Sequence, residues 1–286
     1  MFPGQGSQEI GMGNELLEKY SNLLKNTFEE SLGWSLESII NSDDPQLIKK
    51  TNIAQPYIFS ISYCYGIEAI NNLGNPAALI GHSLGEYTAL CLSGYLDFKD
   101  ALKVIAVRGE EMQKAVENSN TTMAAVLTND LDITIEEINK LNNQGIQIWI
   151  SNYNDPSQIV ISSYTDDMNY LKSNPKAIGA KRIIPLEVAG AFHTEIVSPA
   201  KKPLHDVLNE IDISEGKIPV YMNVDAKKVD ISSIKENLVN QIDNSVLFSQ
   251  QIQNLNEDID PDLWCHIGPG NVTAGMVRKS ISYKDL

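Results

Sequence analysis

Cysteine is scarce in this sequence, and its spacing suits neither a disulfide framework nor a zinc site. Cys64, Cys91 and Cys265 are the three cysteines of the 286-residue chain. Their odd number and wide separation argue against a set of bridges, and zinc ligands come in closely spaced pairs. Each lies in an apolar run, so we interpret all three as buried thiols of a reducing compartment. We therefore expect no metal site.

Long apolar runs and a surplus of basic residues are also missing. No segment reaches the roughly 18 consecutive apolar residues that a membrane helix needs, and no charged segment followed by an apolar one precedes the first glycines. The chain has 22 basic and 37 acidic residues, for a formal charge of -15. That charge repels nucleic acid and anionic membrane surfaces. We therefore expect a cytoplasmic protein with neither nucleic acid nor membrane as a partner.

The composition is otherwise that of an ordinary globular protein. Hydrophobic residues make up 42% and charged residues 21% of the chain, which argues against disorder along most of its length. Helical patterns dominate residues 14–72, with one helix across 14–32 and a second that is predicted to begin near Pro56. Another amphipathic helix is predicted to open after Asp97 as its N-cap.

Residues 120–187 differ in pattern from the chain on either side of them. Strands and helices are predicted there in the order βαββαβ, which fits a ferredoxin-like unit. Further strands are predicted at 218–224 and 262–267. We therefore expect an α/β fold in two parts, a large subdomain formed by residues 1–119 and 188–286 and a small one inserted as residues 120–187.

The opening segment, MFPGQGSQEIGMG, is crowded with glycine at positions 4, 6, 11 and 13. Such density indicates a backbone that approaches something closely or adopts positive φ. The segment lacks the lysine and the serine or threonine of a phosphate-binding P-loop. Another strand, or a charge that develops during a reaction, is the better match for what this backbone approaches.

GHSLG at 81–85 matches the GxSxG nucleophile elbow, in which a strained turn between a strand and a helix projects a serine hydroxyl. The motif is weak alone, but an apolar run over 77–80 predicts the strand before it and residues 84–92 the helix after it. Ser83 is therefore the candidate nucleophile, with a purely structural turn as the alternative. Because successive side chains diverge on such a turn, we interpret His82 as a residue that fixes it.

A serine nucleophile needs an adjacent base, and His193 is the favoured one of four histidines. It follows the small-residue segment AGAF, directly after the strand that leaves the insertion, where it can reach a cleft. His205 is predicted on a solvated helix face, and His266 at a strand end or in the core. No acid stands out to orient His193, a task that a main-chain carbonyl can also perform.

Arg108 lies on an otherwise apolar face of the helix that follows Asp97, close to Met112. On spacing alone, exposure to solvent or pairing with a carboxylate such as Glu111 is the simpler interpretation. A fixed guanidinium would also bind a substrate carboxylate through two parallel hydrogen bonds. The residues alone leave both interpretations open.

Taken together, these motifs resemble the malonyl-CoA:acyl carrier protein transacylases, most of all the freestanding, trans-acting acyltransferases of polyketide synthases. The matching segments follow the family's order across nearly the whole chain: FPGQGSQ at 2–8, QP at 55–56, GHSLGEY at 81–87, RGEEMQ at 108–113, GAFH at 190–193 and GPG at 268–270. The resemblance implies an α/β-hydrolase-like large subdomain with an inserted ferredoxin-like subdomain.

The resemblance also implies roles for the site residues. Ser83 would be acylated, and His193 would be the base that activates it. The main-chain N–H groups of Gln5 and Leu84 would form the oxyanion hole, where losing one donor typically costs on the order of a hundredfold in rate. Arg108 would hold the free malonyl carboxylate.

Further residues are implied beside the substrate. Phe192 would clash with the methyl branch of methylmalonyl, and Met112 and His82 would also contact substrate. In the family, a main-chain carbonyl in the late segment that often reads PVQW orients the histidine. This chain has SVLF there, so the resemblance implies that Leu247 supplies that carbonyl.

The reaction implied is the transfer of malonyl from malonyl-CoA to the phosphopantetheine thiol of an acyl carrier protein, by a ping-pong acyl-serine route in polyketide or fatty acid synthesis. It needs neither metal nor redox cofactor, and a monomer is expected. The alternative is an acyl hydrolase of the same fold that clears stalled acyl groups. Carrier proteins are usually acidic, so docking would use basic residues; the candidates are Lys181 with Arg182, Lys227 with Lys228 and Arg278 with Lys279.

Overall fold

The computed structural model describes residues 1–281, and it is an α/β protein as the sequence predicts. Its α-helices are α1 (Phe28–Leu32), α2 (Leu36–Ile40), α3 (Thr51–Leu73), α4 (Gly85–Ser93), α5 (Phe98–Val116), α6 (Leu131–Asn143), α7 (Thr165–Ser173), α8 (Lys201–Asn209), α9 (Ile234–Asn240), α10 (Phe248–Ile259) and α11 (Val272–Ser280). Its strands are β1 (Leu79–Ile80), β2 (Thr121–Thr128), β3 (Ile148–Asp155), β4 (Gln158–Tyr164), β5 (Ala180–Pro185) and β6 (Val220–Tyr221).

A short parallel sheet lies at the centre of the large part of the molecule. β1 pairs with β6, with Leu79 opposite Val220 and Ile80 opposite Tyr221. Phe2 extends the sheet through a parallel bridge to Gly81. The opening segment therefore lies directly beside the end of β1, where the chain turns into α4.

Two further predicted strands turn out to be short or irregular. The strand predicted at 218–224 is limited to Val220–Tyr221, and the segment 262–267 is not a regular strand. Two hydrogen bonds of 2.8 Å tie that segment to Met1, one from the Met1 amine to the Cys265 carbonyl and one from the Ile267 N–H to the Met1 carbonyl. An apolar run becomes a strand only where a neighbour continues the ladder, and the ladder here is two residues long.

The second sheet has the strand order β3-β4-β2-β5, with every neighbouring pair antiparallel. α6 connects β2 to β3, and α7 lies between β4 and β5, so the predicted order βαββαβ and its ferredoxin-like arrangement are confirmed. These elements enclose a core of their own, which includes Val126, Ile138, Ile161 and Leu171. The subdomain boundaries stay a prediction, and residues 282–286 of the predicted large subdomain lie outside the described residues.

Main-chain hydrogen bonds join β3 to a loop of the large part of the molecule. The N–H of Tyr153 donates to the carbonyl of Val246, and the N–H of Val246 donates to the carbonyl of Ser151, each over 2.9 Å. Asn152 forms a parallel bridge with the same valine. The small sheet is thereby fixed beside the segment that follows α9.

α3 begins at Thr51, five residues before the start predicted near Pro56. The proline lies inside the helix, where it cannot donate a hydrogen bond to the preceding turn. Burial offsets that cost, since Tyr57 and Phe59 are fully buried in the core that α3 forms with α5. Tertiary packing therefore overrides the local start signal.

Two other helix predictions have opposite outcomes. The helix predicted across 14–32 is broken into a 3-10 turn (Asn14–Leu16), a π-helical turn (Asn22–Thr27) and α1. The N-cap predicted at Asp97 is confirmed, because its carboxylate accepts a hydrogen bond of 2.8 Å from the N–H of Lys99.

The cysteines are free thiols. Cys64 and Cys91 are buried as predicted, whereas Cys265 is only half-buried, because it lies in the irregular segment beside Met1. No helix within residues 1–281 combines the length and the apolar character needed to cross a membrane.

Candidate active site

Ser83 stands on a sharp turn between β1 and α4, as the GxSxG pattern predicts. Its φ is 51°, and His193 has a similar φ of 58°. Non-glycine residues seldom adopt such values, and strained backbone of this kind concentrates at functional sites. The turn also requires its glycines, because a Cβ at Gly81 would lie 2.0 Å from the carbonyl oxygen of Gly85.

The opening glycine segment packs against this turn. A Cβ at Gly85 would lie 2.3 Å from the carbonyl oxygen of Phe2, and one at Gly4 would lie 2.6 Å from that of His82. Within residues 1–281, neither the N–H of Gln5 nor that of Leu84 donates a hydrogen bond. These are the two main-chain donors predicted for the oxyanion hole, and both are left available at the turn.

Ser83 and His193 are joined as a nucleophile and a base would be. The Ser83 Oγ lies 2.8 Å from His193 Nε2, and His193 Nδ1 lies 2.7 Å from the carbonyl oxygen of Gln241. A carbonyl only accepts, so Nδ1 carries the ring proton and Nε2 presents its lone pair to the serine hydroxyl. The imidazole is therefore held in the tautomer that can remove the serine proton.

Burial keeps the His193 ring uncharged. Desolvation lowers the pKa of His193 to about 3, with the charge of Arg108 acting in the same direction and the hydrogen bond to Gln241 acting against it. At neutral pH the ring is therefore a free base, ready to accept a proton without first losing one.

The carbonyl that orients His193 comes from Gln241, not from Leu247, so that expectation is wrong. The Leu247 carbonyl is used elsewhere, because it accepts a hydrogen bond of 2.9 Å from the N–H of Gln251. The orienting carbonyl lies just beyond α9, six residues earlier in the chain. Every residue carries a carbonyl, so no side-chain pattern distinguishes the one that is used.

Arg108 reaches the nucleophile from α5, although its side chain is only 1% exposed. Its NH2 group donates to the Ser83 Oγ over 3.1 Å and to the Gln241 side-chain oxygen over 2.8 Å. Its Nε is buried and has no acceptor within residues 1–281. Burial lowers the pKa of the guanidinium, but arginine stays charged in proteins. The simpler interpretation, an arginine exposed or paired with Glu111, is wrong.

Three polar residues beneath the turn belong to the site but were not predicted from the sequence. Asn223 accepts from the N–H of Ser83 and donates to the carbonyl of Gly81, each over 2.7 Å, so it clamps the turn from both sides. Glu86 accepts hydrogen bonds from the Asn223 N–H and from the Gln241 side-chain amide. Burial raises the pKa of the Glu86 carboxyl, while these hydrogen bonds and the charge of Arg108 oppose the rise. Asn223 and Gln241 are far from Ser83 in sequence, which gave no local signal for either.

The remaining predicted residues line a cleft of about 230 Å³ that opens above Ser83. Met112 and Phe192 form part of its apolar wall, and the second sheet supplies Met123, Ala125 and Val160. The substrate space therefore lies between the Ser83 turn and the second sheet.

His82 lines the same cleft and also fixes the turn, as interpreted from the motif. Its Nε2 lies 2.9 Å from the side-chain oxygen of Asn154 on β3, and its ring packs edge-on against Phe248. The turn is thus connected to the second sheet through a side chain adjacent to the nucleophile.

The other histidines lie away from the nucleophile. His205 is exposed on α8, and His266 contacts the Thr273 hydroxyl and the Pro269 carbonyl. In the described part of the chain, no cluster of three or more His, Cys, Asp or Glu side chains is arranged to hold a metal ion.

The family model described as acyl transferase domain matches residues 1–282. The chain belongs to this acyl transferase family. Ser83, His193 and Arg108 therefore lie within an acyl transferase domain that occupies nearly the whole sequence.

Curated relatives of this acyl transferase are similar over nearly their full length. A malonyl CoA-acyl carrier protein transacylase of Bacillus subtilis (strain 168) is 38% identical over 98% of this chain and 89% of its own. A protein of the same name from Staphylococcus aureus (strain MSSA476) is 32% identical over 98% of this chain and 91% of its own.

Solved structures share the fold of the acyl transferase. A malonyl-transacylase in complex with its type II PKS acyl-carrier protein aligns with a TM-score of 0.89 and 30% identity, over 98% of this chain and 92% of its own. MCAT from Streptococcus pneumoniae aligns with the same TM-score and 31% identity, over the same shares of the two chains. The α/β fold with its inserted sheet is therefore common to this group of enzymes.

Proposed function

We propose that this protein transfers a malonyl group from malonyl-CoA to the phosphopantetheine thiol of an acyl carrier protein. The observation that carries the proposal is the buried Arg108, whose guanidinium lies 3.1 Å from the Ser83 Oγ and has an unpartnered Nε. A buried charge is costly unless something compensates it. The carboxylate of a malonyl group on Ser83 would supply that compensation. The names of the relatives support the same substrate and acceptor.

In the first half of the reaction, Ser83 is acylated. His193 Nε2 takes the hydroxyl proton as the Ser83 Oγ attacks the thioester carbonyl of malonyl-CoA. The N–H groups of Gln5 and Leu84 donate to the tetrahedral oxyanion. Collapse breaks the C–S bond, and the departing CoA sulfur receives the proton from His193.

In the second half, the acyl group moves to the carrier. His193 removes the proton of the phosphopantetheine thiol, and the sulfur attacks the acyl-serine carbonyl. Collapse of the second tetrahedral intermediate releases the Ser83 oxygen, which regains its proton from His193. Protein side chains and main-chain donors perform every step, so we propose that the reaction uses no metal or redox cofactor.

The experiment that tests this function is intact mass spectrometry of the protein. The protein is mixed with malonyl-CoA, acetyl-CoA or methylmalonyl-CoA, with and without holo carrier protein. We expect a stable malonyl adduct on Ser83 that disappears only when the carrier is added. Rapid loss of the adduct to water would favour the alternative, an acyl hydrolase. No adduct with any of the three would contradict acyl transfer by Ser83.

Arg108→Ala tests the carboxylate clamp. Because a hydrogen-bonded charge pair is lost only with the dicarboxylic substrate, we expect malonyl loading to fall by roughly a hundredfold and acetyl loading to fall far less. The two loading rates are measured by quenched mass spectrometry on the same protein preparation. Equal losses with both substrates would contradict the clamp.

The setting of the reaction extends the proposal further. We propose a role in trans in polyketide or fatty acid synthesis, as a monomer in the cytoplasm. The role in trans and the monomer rest on the family resemblance, and the cytoplasmic setting rests on the composition. Size-exclusion chromatography with light scattering tests the oligomeric state directly.

A further inference from the structure

The side-chain amide of Gln241 lies between the buried Glu86 carboxyl and the buried Arg108 guanidinium. Its nitrogen donates to the Glu86 carboxyl over 3.2 Å and to the Ser83 carbonyl over 3.0 Å. Its oxygen accepts from the Arg108 guanidinium over 2.8 Å. One end of the amide therefore faces acceptors and the other faces a donor, which defines a single orientation for the group.

We propose that Glu86 is a positioning residue, which fixes the orientation of the Gln241 amide and thereby holds Arg108 ready for the substrate carboxylate. The inference rests on the proposed function, since it concerns how the clamp is held. Glu86 itself is fully buried beneath the turn and does not line the cleft. It acts through Gln241 and never touches the substrate.

Both carboxyl oxygens of Glu86 accept a hydrogen bond. One accepts from the main-chain N–H of Asn223 and the other from the Gln241 amide. A carboxamide at this position has one oxygen and one NH2 group, so it can accept from only one of these donors. The main-chain N–H is fixed in place, whereas the Gln241 amide can rotate by a half-turn.

Glu86→Gln should therefore disturb Arg108 and spare the nucleophile. The new oxygen stays with Asn223, the new NH2 faces Gln241, and the Gln241 amide turns to present its oxygen to that NH2. Its own NH2 then faces Arg108, where two donors oppose each other and the guanidinium loses its acceptor.

The rotation removes one contact of the nucleophile, the hydrogen bond from the Gln241 amide to the Ser83 carbonyl, and leaves the others in place. The carbonyl of Ser83 keeps its hydrogen bond from the N–H of residue 86, and its N–H keeps its bond to Asn223. His193 binds the main-chain carbonyl of Gln241, which does not move when the side chain turns.

The test compares two probes of Ser83 in the full-length protein. The rate of acylation by malonyl-CoA reports the clamp, the nucleophile and the base together. The rate of labelling by a neutral fluorophosphonate reports the nucleophile and the base without a carboxylate. For Glu86→Gln we expect malonyl acylation to fall about tenfold or more, the size of a lost hydrogen bond to a charged group. Fluorophosphonate labelling should fall by less than about threefold, since the hydrogen bonds that hold Ser83 and His193 largely persist.

A double-variant comparison tests the route through Arg108. If Glu86 acts through the guanidinium, Glu86→Gln should reduce malonyl acylation by less than about twofold once Arg108→Ala is present, because coupled residues are not additive. Equal losses on both probes, or additive losses with Arg108→Ala, would overturn the inference.

Asp155→Asn is the matched control. Asp155 is a buried acid on β3 that accepts two hydrogen bonds of 2.8 Å from Ser157 and one of 3.2 Å from Lys279, but it contacts neither Gln241 nor Arg108. This variant should leave the rates of both reactions unchanged. A loss of malonyl acylation without a matching loss of fluorophosphonate labelling, as expected for Glu86→Gln, would overturn the inference.

If Glu86→Gln fails to fold, Glu86→Asp is measured instead, and it must show the same selective loss of malonyl acylation. Wild-type protein that accepts the fluorophosphonate but not malonyl-CoA would contradict the proposed function itself.

Discussion

The neutral, buried state of His193 ties the stability of the fold to pH. Its pKa is lowered to about 3 in the folded protein, against roughly 6.5 for a free histidine. Unfolding therefore takes up a proton at this position whenever the pH is below about 6.5. The stabilisation is complete above that pH and is lost as the pH falls toward the folded-state pKa.

Because of this one residue, we expect the free energy of unfolding to fall by about 2 kcal/mol as the pH falls from 6.5 to 5, taking about 1.4 kcal/mol per pH unit. His193→Gln should remove that part of the pH dependence, as measured by urea unfolding at pH 5, 6 and 7. His205→Gln, on an exposed face of α8, is the control and should leave the slope as in wild type. A slope that His193→Gln does not change would contradict the lowered pKa.

Phe192 is expected to set the preference between acyl groups. Its ring is 5% exposed and lines the cleft directly before the base. A pocket that rejects one methyl group discriminates by about 1–3 kcal/mol. Phe192→Ala should therefore raise the ratio of methylmalonyl to malonyl loading by roughly tenfold, measured by competition between the two thioesters. Phe28→Ala, which truncates a buried ring of α1, should destabilise the protein without moving that ratio.

How far the sequence predicts the site depends on what each residue contributes. Ser83 is recognisable because it occupies the serine position of a GxSxG motif. His193 is recognisable because it follows a segment of small residues, where a histidine can reach a cleft. Arg108 is not decided by spacing, because whether a long side chain turns inward depends on what faces it. Gln241 orients the base through its carbonyl, and a main-chain group has no sequence signature at all.

Among the structural elements, the opening segment matters through its backbone and not its side chains. Gly4 cannot be replaced by a residue with a side chain, because a Cβ at this position would lie 2.6 Å from the carbonyl oxygen of His82. Backbone on both sides of that contact has little freedom to yield. Gly4→Ala would therefore push the segment away from the turn, together with the N–H of Gln5.

We expect Gly4→Ala to lower the rate of malonyl transfer by about a hundredfold, the usual cost of losing one oxyanion donor, while substrate affinity changes little. Single-turnover kinetics separate the two effects. Gly275→Ala on α11 is the matched control, since a Cβ there meets nothing within 4 Å. A Gly4→Ala protein with wild-type turnover would contradict the oxyanion role of Gln5.

The boundaries of helices and strands could be predicted where they depend on the local sequence pattern. The predictions failed where contacts with distant segments set the boundary. The βαββαβ order could be read from alternating strands and helices, because each strand of that sheet is long enough to show its period. β6 has only two residues, and its length is set by β1, which no local window contains. The start of α3 at Thr51 likewise depends on packing against α5 and not on the proline signal.

For the whole molecule, docking of an acidic carrier must overcome a formal charge of -15. Of the three basic pairs singled out in the sequence, Arg278 and Lys279 lie on α11, the helix whose Thr273 and Met276 line the cleft. Lys279 is paired with Asp155 over 3.2 Å, whereas Arg278 is exposed. Lys227 and Lys228 follow β6 and do not line the cleft.

Arg278→Glu should therefore weaken the second half of the reaction and spare the first. We expect the KM for the carrier protein to rise by roughly threefold to tenfold at low salt, because a charge at the rim of an interface mainly affects encounter with the partner. The difference should shrink as ionic strength rises and charges are screened. Acylation by malonyl-CoA should stay as in wild type, because Arg278 is not among the residues that line the cleft. Lys228→Glu changes the net charge by the same amount at a distant position, so an equal rise in KM for both variants would assign the effect to overall charge and contradict docking beside α11.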